Sequence, residues 1–118
     1  MSEKRIFTDS LNDILSEINK IFKFMGKMTY TEFIKDEKTI YAVTRSLEII
    51  GEATKNIPND VKDTYNQIPW SKISGMRNKL IHEYFGVDLE TLWNTIKNRM
   101  PEIKPPIEEI LKNLNTQK

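Results

Sequence analysis

The chain has 118 residues, 38% of them hydrophobic and 30% charged, with a formal net charge of +1. That mixture excludes a disordered chain of one charge sign, and the length suits one domain over residues 1–118 with a modest core. The absence of cysteine and the presence of one histidine exclude a disulfide framework and the usual clustered zinc or iron ligands, so no metal or cofactor is assigned. In chain order, Phe7, Leu11, Ile14, Leu15, Ile18, Ile21, Phe22 and Met25 form one helical stripe, with Asp9 or Ser10 able to cap its start and Gly26 placed to end it. A second stripe runs Ile40, Val43, Leu47, Ile50, Thr54 and Ile57, thickened by Ala53, and stops at Pro58. Gly51 inside it costs roughly 1 kcal/mol against alanine, which points to a close helix approach. Asn59-Asp60 can cap a short third helix through Tyr65, which must end before Ile68-Pro69. Trp70, Ile73, Met76, Leu80 and Tyr84 predict a fourth helix finishing near Gly86, and Asp88 reads as the cap of a fifth carrying Leu89, Leu92, Trp93 and Ile96. Pro101, Pro105 and Pro106 should interrupt the chain beyond the fifth helix, leaving a short last helix with Ile107, Ile110, Leu111 and Leu114. The expected fold is an all-α antiparallel bundle of about five to six helices, with short connections between neighbours.

No run is long and apolar enough to cross a bilayer, and Met1-Ser2-Glu3-Lys4-Arg5 lacks the apolar core of a secretory signal, so a cytoplasmic location without membrane contact is expected. A net charge so near zero exerts little long-range pull on nucleic acid. Any RNA contact must be local. Lys72, Arg77 and Lys79 could form such a patch, weakened by Glu83, Asp88 and Glu90.

The fourth helix carries Arg77-Asn78-Lys79-Leu80-Ile81-His82-Glu83-Tyr84, which gathers a cation, an amide, a phenol and the single histidine within eight residues. His82 is the one side chain whose unperturbed chemistry moves protons near neutral pH. At about 100° per residue, Asn78 and His82 share a helix face, whereas Arg77 and Tyr84 share another. A plainer reading makes His82 an exposed or capping residue, Arg77 an ion-pair partner of Glu83, and Tyr84 a core aromatic with its hydroxyl at the rim. Periodicity alone favours that plainer reading. Elsewhere, Glu48 and Glu52 are four apart on the second long helix and could approach the motif or remain solvated; Arg45 could join them or pair with Glu48. Trp70 and Trp93 lie among apolar neighbours and read as core or interface anchors.

The motif resembles the Arg-x4-His-x-Tyr signature of HEPN domains, in particular HepT-like toxins paired with a minimal nucleotidyltransferase antitoxin. Leu47-Glu48-Ile49-Ile50-Gly51-Glu52-Ala53, Ile68-Pro69-Trp70, Gly75-Met76-Arg77-Asn78 and Phe85-Gly86-Val87-Asp88 are similar to that family's landmarks, in the same order and spacing. The resemblance covers roughly the whole chain. It implies an all-α homodimer, an RNA substrate, metal-independent endoribonuclease activity, and Arg77, Asn78 and His82 as the catalytic group. It also implies that Tyr84 is the tyrosine to which a partner nucleotidyltransferase attaches AMP. Arg45, Glu48, Glu52 and Lys79 are candidates for a supporting groove. The competing expectation is a non-catalytic adaptor that binds a nucleotidyltransferase or a nucleotide, and a weaker third is a purely structural dimer.

Overall fold

Apolar residues recurring every three or four positions produce α1 (Glu3–Met25), whose inward line Leu11, Ile14, Ile18 and Ile21 is almost wholly excluded from solvent. The computed structural model describes the backbone of residues 3–83 and 88–116 and the side chains of 7–76 and 88–114. α1 begins before the Phe7 stripe, so Asp9 and Ser10 are internal rather than caps, and Ser10 is buried. Glu3, Lys4 and Arg5 are good helix formers, and they extend the helix without adding to its apolar line. Gly26 ends it as expected, with φ +51 and its N–H donating to the Phe22 carbonyl at 3.0 Å.

A four-residue helix, α2 (Tyr30–Phe33), comes next, and the hydrophobic pattern gives no sign of it. Its cause is a capping box. The Thr29 hydroxyl accepts the Glu32 N–H at 3.2 Å, the Glu32 carboxylate accepts the Thr29 N–H at 2.9 Å, and Phe33 is completely buried beneath. Asp36 then caps α3 (Glu37–Thr54), its Oδ1 accepting the Thr39 N–H at 3.0 Å. α3 ends at Thr54 rather than at Pro58, yet Ile57 stays buried through a tight turn in which its N–H donates to the Thr54 carbonyl.

α4 (Asn59–Thr64) starts with Pro58 in the cap position and has no side-chain cap bond, so Asn59 and Asp60 lie inside the helix instead of capping it. Pro58 in extended conformation needs no N–H there, which makes it a good lead-in. After α5 (Trp70–Glu83), the elements α6 (Leu89–Asn94), a π-helical turn (Thr95–Arg99) and α7 (Met100–Thr116) run on as one continuous rod. The expected break at the prolines does not occur. Pro105 and Pro106 sit inside α7, where they remove the donors that would reach the carbonyls of Pro101 and Glu102. Both of those residues are exposed, so water can take the place of the missing donors. On the opposite side Met100, Ile103, Ile107 and Ile110 are buried and hold the rod to the bundle.

The long helices pack in the order α7, α1, α3, α5, with α3 held between α1 and α5. Gly51 is buried in that central helix. Among the described residues there is no strand, and no helix is long and apolar enough to cross a membrane.

Candidate active site

The motif is carried by α5, whose start is fixed by two features of Ile68-Pro69-Trp70. The Ile73 N–H donates to the Pro69 carbonyl at 3.0 Å, and the Trp70 indole N–H donates to the Tyr65 carbonyl at 3.1 Å, tying α5 to the end of α4. Trp70 and Ile73 are buried and Met76 is half-buried, so this line of the helix faces α3. Ser71 and Gly75 on the other side are exposed, and a Cβ built on Gly75 meets nothing within 4 Å.

Arg77, Asn78, Lys79 and His82 belong to α5 by backbone, but their side chains lie outside the described residues, as does all of Tyr84. Helical register alone places positions 78 and 82 in line with exposed Ser71 and Gly75, and position 77 in line with buried Ile73.

Of the supporting candidates, Arg45, Glu48 and Glu52 come together. They line one shallow groove of about 410 Å³ between α3 and α1, with Ser10, Asp13 and Asn56 among the other walls. Arg45 pairs with Glu48 at 3.6 Å and Lys55 with Glu52 at 3.8 Å. Arg45 is largely exposed and Glu48 about one-third exposed, so the pair contributes at most about 1 kcal/mol to stability and leaves the guanidinium available to a ligand. Ser10 and Asp13 join the groove only through the crossing of α1 over α3. No short-range pattern in the sequence links residues 10 and 13 to residues 45 and 52.

An all-α bundle that presents an arginine and a histidine five positions apart on one helix is the arrangement of the HEPN class. The family described as ribonuclease HepT-like matches residues 14–110, and the chain belongs to that family. It is 50% identical over 111 residues to the protein named "Putative RNase MJ0125" of Methanocaldococcus jannaschii, covering 94% of this chain and 96% of that one. It is 48% identical over 109 residues to the protein named "Probable ribonuclease HepT" of Thermococcus cleftensis, covering 92% and 99% respectively. A further RNase-named relative, from Caldanaerobacter subterraneus, is 43% identical over 101 residues, 86% of this chain and 90% of that one. No solved structure matches the chain significantly.

Proposed function

We propose that residues 1–118 form a single helical domain that acts in the cytoplasm as the toxin subunit of a toxin–antitoxin pair, cutting RNA without a metal. The observation that carries this reading is the Arg77-x4-His82-x-Tyr84 pattern in the sequence, with Arg77 and His82 on α5 and the whole inside the segment matched by the ribonuclease family. The chemistry needs a base for the 2′-hydroxyl proton, an acid for the departing 5′-oxygen, and a cation beside the phosphate. One chain has a single imidazole.

Two chains related by a two-fold axis, with their α5 helices facing, supply two. One His82 takes the 2′-hydroxyl proton as that oxygen attacks phosphorus. The other protonates the 5′-oxygen as its bond to phosphorus breaks, leaving a cyclic phosphate and a 5′-hydroxyl. Arg77 and His82 are five residues apart and so about 140° apart around a helix, which a pocket shared by two chains accommodates more easily than one α5 alone. Arg77 holds the phosphate through its forked donors, and Asn78, one turn before His82, orients the ring or the substrate. Arg45, Glu48 and Glu52, which line the groove between α3 and α1, and Lys79 on α5 are supporting contacts for the strand in this reading.

Tyr84 is the switch in this reading. AMP attached there by the cognate nucleotidyltransferase adds bulk and negative charge next to the place where a phosphodiester must sit. The test is digestion of a defined RNA in excess chelator by the wild-type protein and by Arg77→Ala and His82→Ala. Cleavage lost by about 10²-fold or more in His82→Ala supports the reading, whereas an inert wild-type dimer rejects it. Tyr84→Phe should escape silencing by the partner enzyme, and continued silencing rejects that position.

A further inference from the structure

Away from α5, the rod formed by α6, the π-helical turn and α7 carries two lysines laid over aromatic rings. Lys97 Nζ lies 4.8 Å from the centre of the Trp93 ring, and Lys104 Nζ lies 5.5 Å from that of Phe22 on α1. Tyr30, 38% exposed, meets Trp93 edge-on at 5.5 Å, so the aromatic surface continues onto α2. From Trp93 to Lys104 the rod advances about 16 Å. Phe22 and Trp93 are half-buried, fixed at one edge and accessible at the other.

The two lysines of this ridge, Lys97 and Lys104, form no ion pair among the described residues. The nearby Glu102 carboxylate is engaged by Arg99 at 3.1 Å. Lys97 and Lys104 are free to meet an external anion. A lysine over a ring in water is weakly held, so its ammonium can swing to a phosphate while a base takes its place on the ring. The π-helical turn at Thr95–Arg99 is a second pointer. Such turns are uncommon inside helices and recur at functional positions, and this one contains Lys97.

We infer that the ridge Tyr30, Trp93, Lys97, Lys104 and Phe22 is a track for single-stranded RNA, separate from the α5 motif, in which bases stack on the rings and phosphates meet the lysines. The track rests on the proposed ribonuclease function for its purpose, which is to add a second hold on a substrate strand.

The experiment measures binding of a labelled 2′-O-methyl single strand, which a 2′-oxygen attack cannot cut, to the full chain over a series of salt concentrations. Lys97→Gln/Lys104→Gln should bind about tenfold more weakly, with the salt slope reduced by roughly 1.4, whereas Lys62→Gln/Lys112→Gln should bind as wild type does. Tyr30→Ala should weaken binding about fivefold without changing the slope. Thermal melting confirms that each variant is folded. Unchanged affinity in the first pair, equal loss in the second pair, or equally tight binding of a duplex of the same sequence would overturn the track. Cleavage is not read here, so the two proposals fail separately. A protein that binds the strand through the ridge but never cuts RNA removes the ribonuclease reading, and one that cuts without using the ridge removes the track.

Discussion

Glu32 illustrates how much one exposed side chain can depend on its local geometry. Its carboxylate accepts the Thr29 N–H, and that bond, followed by the Thr29 hydroxyl, holds its pKa below the ordinary glutamate value. A folded value below the unfolded one means that the contribution is complete above the ordinary pKa and is lost as the pH falls through the lowered one. Glu32→Gln keeps an acceptor for the Thr29 N–H but removes the titration. Melting temperatures measured across the acid range should therefore fall less steeply for Glu32→Gln than for wild type, and identical slopes would show that the box carries no linked proton. This residue pair was legible in the chain as Thr29-x-x-Glu32, but a helix of only four residues has no periodicity to draw attention to it. His82 is the reverse case. Its chemistry is plain from composition, yet one chain's periodicity does not encode what surrounds the ring.

At the scale of elements, α1 and α3 follow from their apolar spacing because each buries a continuous line against a neighbour. Leu11, Ile14, Ile18 and Ile21 on one meet Val43, Leu47 and Ile50 on the other, all at most 1% exposed. The prolines of α7 mislead for a physical reason. Proline penalises a helix through two missing donors and a ring clash, but burial of Ile103, Ile107 and Ile110 on the far side outweighs that penalty. The residual cost can be recovered. Pro105→Ala restores an N–H to a rod that is helical on both sides, and chemical denaturation should show a gain of about 1–3 kcal/mol. A loss of stability would mean that the proline instead limits the unfolded chain or fixes the π-helical turn before it. That turn has no counterpart in residue spacing, since inserting one residue into a helix leaves the same apolar types in nearly the same order. The groove between α3 and α1 was legible only in part. Arg45, Glu48 and Glu52 share a helix and can be grouped from their numbers, but Ser10 and Asp13 enter it through tertiary packing alone.

For the whole molecule, the decisive quantity is how many imidazoles a working site needs. Residues 78 and 82 share the helical line of Ser71 and Gly75, which are exposed and lie off the line of α5 that faces α3. If a second copy packs there about a two-fold axis, every site contains both His82 rings, and losing either removes the base or the acid. Mixing unlabelled wild type with His82→Ala, after the dimers have been dissociated and allowed to re-pair, then gives a result that depends on the order of the reaction in intact chains. At equal amounts only about one dimer in four carries both rings, so RNA cleavage should fall to about one quarter of its undiluted value at the same total protein. A site complete within each chain would retain half. Sedimentation of the same mixture establishes that pairing has occurred, which separates a self-sufficient site from a protein that never dimerises.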